Sequence, residues 1–178
     1  MAAARIADAL PGSTVEWLAW EEDPAVSALF RRRILGESET DTEDVWARRD
    51  GSGPVAEILD AMRDDGSWEE PARDYAKYRG NLWQVLFLGE LWADPSDERV
   101  RRAAEYAFSR QHESGAWGMT SAPSAAMPCL TANVGRSLAR MGYADDERVA
   151  AALGWIAGQL GELGHIGCRD VDVFTLNG

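Results

Sequence analysis

The side chains with the widest chemical reach in this chain are two thiols and an imidazole, Cys129, Cys168 and His165. His165-x-x-Cys168 is a single short pair, and Cys129 joins it only if the fold brings the two segments together. A thiol-dependent activity at Cys129 and Cys168 is one reading; buried cysteines serving as small apolar residues are the ordinary one. A second set is polar and aromatic. Gln84 and Asn133 stand 49 residues apart (133 − 84), beside Trp83, with Tyr78 and Arg79 in the loop that opens the helix carrying Gln84. Two amides at one repeated position next to aromatic surface make a pocket wall with a few convergent polar groups. The competing reading has both amides bonding to neighbouring backbone and holding helices in register. His112, next to Gln111 at a helix end, is expected to be exposed. Other chemistries lack their residues: there is no Gly-rich loop after a strand, no nucleophile elbow and no further His/Cys/Asp triad.

These residues are positioned by a repeat. DDGSW (Asp64 to Trp68), ESGAW (Glu113 to Trp117) and ELGHI (Glu162 to Ile166) place Gly66, Gly115 and Gly164 at intervals of 49 residues (115 − 66 and 164 − 115). Asp97-Glu98-Arg99-Val100 recurs as Asp146-Glu147-Arg148-Val149 at the same interval. A fixed period of this length marks a helical repeat. From those starts the apolar positions Val100, Ala103, Ala104, Ala107 and Phe108, then Val149, Ala152, Leu153, Ile156 and Leu160, follow the helical period and give one buried stripe each. Asp97 and Asp146 suit helix N-caps, and the glycines suit left-handed stops. A preceding helix is expected at 81–92 and 131–141. The first repeat is looser, with helices at 23–35 (stripe Val26, Leu29, Phe30, Ile34) and 54–62, and between them an acidic loop holding a short helix. Arg31-Arg32-Arg33 reads as a helix face. Only Val171 to Thr175 has strand-like character. The expected fold is all-α: three helical hairpins, each burying its face on the next, in a single domain over 17–178 after a lead-in over 1–16.

With 178 residues, 46% hydrophobic and 27% charged, the chain has an ordinary globular composition. A net charge of −12 argues against a nucleic-acid or anionic-membrane partner. There is no apolar run long enough to span a membrane. Two cysteines make no disulfide framework, so a cytoplasmic, reducing location is expected.

A helix running from Tyr106 to Gln111 and followed by Gly115 and Trp117 resembles the QW repeat of the terpenoid cyclase and protein prenyltransferase superfamily. The third copy keeps Gln159 and Gly164 with Ile166 for Trp; the first keeps Gly66 and Trp68 with Met62 near the Gln position. EEDPAV, AKYRGNLWQ and PCLTANVGRSLARMGY are similar to segments of bacterial proteins carrying this repeat. The resemblance implies an α/α toroid, here incomplete, in which the Gln ties a helix end and the Trp packs between neighbours. It also implies an apolar, isoprenoid-type ligand held between inner helices and, if there is catalysis, cyclase- or prenyltransferase-like chemistry. The family's Asp-x-Asp-Asp acid is missing; Asp170 and Asp172 are its weak counterparts. A Zn²⁺ site of prenyltransferase type would draw on Cys129, His165, Cys168 and Asp170. Two other readings stand beside this one: a non-catalytic solenoid scaffold, with a partner or a second copy covering its open end, and the metal- or thiol-dependent activity at Cys129 and Cys168.

Overall fold

The structure, a computed structural model, describes residues 6, 8–20 and 22–163. His165, Ile166, Cys168, Asp170, Asp172 and the strand-like 171–175 therefore lie outside the described residues. The described chain is helical. It contains no β-strand among those residues, only an isolated bridge between Gly118 and Ala126. It divides into two compact units, residues 1–61 with 91–93, and residues 62–90 with 94–178.

The first unit holds α1 (Gly12–Leu18), α2 (Pro24–Phe30), α3 (Glu43–Ala47) and α4 (Gly53–Asp60). Asp23 caps α2, its Oδ1 accepting the Val26 N–H at 3.3 Å, and Pro24 occupies the first turn, where its missing N–H goes unnoticed. The helix runs on as a wide π turn, Arg31–Leu35, closed by Gly36 in the left-handed region (φ 76°). Its buried side is Ala25, Ser27, Ala28 and Phe30, whereas Val26, Leu29 and Ile34 of the expected stripe are half-buried. Small residues let neighbouring elements approach closely, and the Ser27 hydroxyl donates to the Ala19 carbonyl at 2.9 Å. The acidic loop does contain a short helix, α3, with Val45 buried.

The second unit holds α5 (Asn81–Glu90), α6 (Glu98–Ser109), α7 (Pro128–Leu138) and α8 (Glu147–Leu163). α5 packs on α6 and α7, and α7 packs on α8. Asp97 Oδ1 accepts the Arg99 N–H at 2.7 Å, and Asp146 Oδ1 accepts the Arg148 N–H at 2.8 Å. In both copies the Arg guanidinium closes back on the same carboxylate, and its hydrogen bond holds that carboxyl below the usual range. α6 buries Val100, Ala103, Ala104, Ala107 and Phe108 as its periodicity predicts, together with Tyr106. α8 does not follow: Val149 and Ala152 are buried, but Leu153 and Leu160 are 57% and 45% exposed. α7 starts at Pro128, three residues before the expected start, because proline favours a first turn; after Arg140 the chain leaves the helical conformation at Met141 and turns at Gly142, which sits in the left-handed region (φ 93°).

Candidate functional site

The expected pocket wall is partly assembled, all of it in the second unit. Trp83 on α5 meets Tyr75 (ring centroids 6.4 Å apart), Tyr78 (5.1 Å, edge-on) and Phe87 (6.1 Å). Gln84 Nε2 donates to the Tyr78 carbonyl at 3.3 Å. Tyr78 sits in the left-handed region (φ 64°), a conformation non-glycine residues adopt only when their surroundings impose it. Arg79 follows it, exposed, and the Trp83 Nε1–H is buried without an acceptor among the described residues. Asn133 does not join the group. It is exposed on α7, and no hydrogen bond among the described residues links it to Gln84. The repeat register nevertheless holds: α5 buries residues 81, 82, 85, 86, 88 and 89, and α7 buries residues 130, 131, 134, 135, 137 and 138, each 49 on. Gln84 and Asn133 thus occupy one position, half-buried in α5 and exposed in α7.

Asn81 belongs to a buried polar cluster that the repeat pattern does not reveal. Its Oδ1 accepts the N–H groups of Trp68 and Glu69, both at 2.7 Å, and its Nδ2 donates to Asp74 Oδ1 at 2.7 Å. The Tyr106 hydroxyl donates to the same Asp74 oxygen at 2.7 Å, and Arg110 Nε donates to Oδ2 at 2.6 Å. Burial and the Asp74 carboxylate push the Tyr106 phenol far above its ordinary range. Every polar group here is consumed by another, so the cluster is a clamp on the 66–69 turn rather than a set of reactive groups. The signal that could have pointed to it is a polar residue at the first position of a largely apolar helix, Asn81 in α5.

The second turn is held differently. Gln111 Nε2 donates to the carbonyls of Gly115 (2.7 Å) and Arg148 (2.8 Å). Trp117 is fully buried, and its Nε1–H donates to the Ala107 carbonyl at 2.7 Å. Thr131 Oγ1 accepts the Trp117 N–H at 2.9 Å. His112 corrects the expectation of an exposed ring. It is only 8% exposed, and since Nε2 lies 2.9 Å from the Thr120 carbonyl, that nitrogen carries the proton. Its Nδ1 is buried and unpartnered among the described residues.

Cys129 is half-buried in the first turn of α7. No group of three or more His, Cys, Asp or Glu able to hold a metal ion occurs among the described residues. The other proposed Zn²⁺ ligands, His165, Cys168 and Asp170, and the acid candidate Asp172 lie outside them. Also among the described residues, no helix is long and apolar enough to cross a membrane.

In the first unit, Arg31-Arg32-Arg33 is not a plain helix face. The π turn aims Arg32 and Arg33 into an open cleft of about 720 Å³ with Trp46 and Trp92 in its wall. Arg32 and Arg49 both stack on Trp46, at 4.5 and 4.4 Å, and Arg33 lies 5.1 Å from Trp92, itself at φ 55°. Glu37, Glu39 and Glu43 balance the cations, so the cleft has no single-sign field. Comparison with protein-family models, curated proteins and solved structures gives no match for this chain.

Proposed function

We propose that the second unit is a non-catalytic helical-repeat scaffold, two successive hairpins of an incomplete α/α toroid, that docks a helix on the open face of α8. One observation carries the reading: residues buried in α6 have equivalents, 49 positions on, that are open in α8. Ala104, Tyr106, Ala107 and Phe108 are buried. Trp117 bonds to the Ala107 carbonyl, and Tyr143 meets Phe108 edge-on at 5.5 Å. Their counterparts Leu153 and Ala157 are exposed, and Trp155 and Ile156 only half-buried. Leaving such a face wet forgoes roughly 1.5–3 kcal/mol for each large apolar side chain not buried.

The same helix carries Gly154, Gly158 and Gly161 on one side, and among the described residues nothing lies within 4 Å of where a Cβ would be at any of them. Each interior glycine costs a helix up to about 1 kcal/mol relative to alanine, and no close contact among the described residues offsets that. A second helix at close range would. The occupant we assign is α8 of a second copy, paired about a two-fold axis, which brings the same apolar and small residues together from both sides. Light scattering across a protein dilution series tests this. The wild type should associate reversibly, and Leu153→Glu with Leu160→Glu should raise the midpoint concentration at least about tenfold. A wild-type monomer at every concentration would overturn the proposal.

A second reading, an apolar ligand of isoprenoid type, is supported by the cluster of Tyr75, Tyr78, Trp83 and Phe87 with the unpartnered Trp83 Nε1–H. A Cβ on Gly89 would run into Ser137, so α5 and α7 touch there and leave that part of their seam no room for a ligand. Such a ligand would have to lie against the exposed Tyr78. Mass spectrometry of the native protein would detect it as a mass excess lost in Trp83→Leu.

A further inference from the structure

The first unit carries a second cleft, of about 640 Å³, lined by Trp17, Leu18, Trp20, Val26 and Pro54 and by three carboxylates, Glu22, Asp23 and Glu57. Trp17 is 72% and Trp20 60% exposed, an unusual state for two indoles in a chain with a core available to bury them. They are not on a loose tail. The segment that carries them is tied to α2 by the bond from buried Ser27 to the carbonyl of Ala19, which stands between the two indoles in sequence, and α2 meets α4 where Gly53 lies against Asp23 and Pro24.

Among the described residues, no Lys, Arg or His lines this cleft. Asp23 spends one oxygen on the Val26 N–H, and no ion pair among the described residues engages Glu22 or Glu57. The other cleft of this unit is the contrast: its indoles are already covered by the chain's own guanidinium groups. Here the π faces and the carboxylates are both unspent, and both attract the same thing, a cation with an apolar stem.

We infer that this cleft binds a basic peptide segment of another protein, taking an arginine side chain between Trp17 and Trp20 with its charge toward Glu22 and Glu57 and its apolar neighbours on Leu18, Val26 and Pro54. Charge complementarity selects the occupant. A neutral apolar segment would leave the carboxylates desolvated, and an acidic one would be repelled by them. This site lies outside the α8 face and does not depend on that proposal.

The test is calorimetric and fluorescence titration of the full chain with acetyl-Gly-Leu-Arg-Leu-Gly-amide and with the same peptide carrying neutral citrulline for arginine. The arginine peptide should bind saturably, shift indole emission, and bind about tenfold tighter than the citrulline peptide, with affinity falling as salt rises. Trp17→Ala and Glu57→Gln should each weaken it several-fold, and both residues are exposed enough that the fold survives, checked by circular dichroism. Glu113→Gln, an exposed carboxylate of the second unit, should change nothing. Equal affinity for the two peptides, an unchanged affinity in Trp17→Ala, or an equal loss in Glu113→Gln would overturn the inference. So would self-association of the wild type that Trp17→Ala abolishes, because the occupant would then be a second copy.

Discussion

Two turns of the second unit, 64–69 and 113–118, have one geometry and two chemistries. Both put a glycine in the left-handed region, Gly66 at φ 84° and Gly115 at φ 90°, with its Cα pressed on a carbonyl of the next repeat's second helix. A Cβ at Gly66 would lie 2.5 Å from the Arg102 oxygen, and one at Gly115 2.7 Å from the Ala151 oxygen, residues 49 apart like the glycines themselves. The two turns part company after the glycine. The first is clamped by Asn81 and the charged Asp74–Arg110 pair, with Trp68 half-buried; the second by a fully buried Trp117, a single hydroxyl of Thr131 and the amide of Gln111. Backbone shape is thus the repeated quantity, and the side chains that enforce it are interchangeable.

That comparison can be broken in several places. The largest effect should come from Gly66→Ala and Gly115→Ala, each destabilising by roughly 3 kcal/mol or more through both the positive φ and the carbonyl contact. Urea unfolding that finds one of them near neutral would show the turns are not equivalent. Next, Asp74→Ala strands the Arg110 guanidinium, the Tyr106 hydroxyl and the Asn81 amide, and should cost about 3 kcal/mol. Thr131→Val, its counterpart in the second turn, should cost only about 1–2 kcal/mol. Equal losses would mean charge contributes nothing special to the first clamp.

Tyr106→Phe sharpens the same point through pH. The phenol ionises less readily in the folded chain than its ordinary value of 10.0. Above that pH the unfolded chain releases the proton while the folded chain keeps it, so wild-type stability should fall with rising pH. The Phe variant, about 1 kcal/mol weaker at neutral pH, should lack this part of the alkaline slope, and parallel curves would contradict the buried hydrogen bond to Asp74. The smallest effect belongs to the caps. Asp97→Ala and Asp146→Ala should each cost about 1 kcal/mol at neutral pH. Since both carboxyls are held low, that contribution is present above the unfolded carboxylate range and disappears as pH falls through the folded one. The variants should therefore approach the wild type in acid thermal melts.

Helical character was legible because apolar spacing in α6 and the caps Asp97 and Asp146 are local signals. The stripe of α8 was not, because periodicity says which face is apolar, not whether anything covers it; Leu153 and Leu160 have the pattern and stay exposed. The Asn81 cluster gathers residues from positions 68 to 110, and no spacing rule reveals that Asp74 would meet both Tyr106 and Arg110. Gln84 and Asn133 do share one repeat position, but spacing does not reveal that the first is half-buried and bonded to the Tyr78 carbonyl while the second is exposed. His112 was misplaced because its neighbour Gln111 reaches toward α8 while its own ring turns in to the Thr120 carbonyl.

The most direct test of the scaffold proposal is amide hydrogen exchange over 147–163, measured at low and high protein concentration. If α8 pairs with α8 of a second copy, protection there should rise with concentration while that of α6, already covered, stays fixed. Exchange in α8 that is the same at both concentrations would contradict the account.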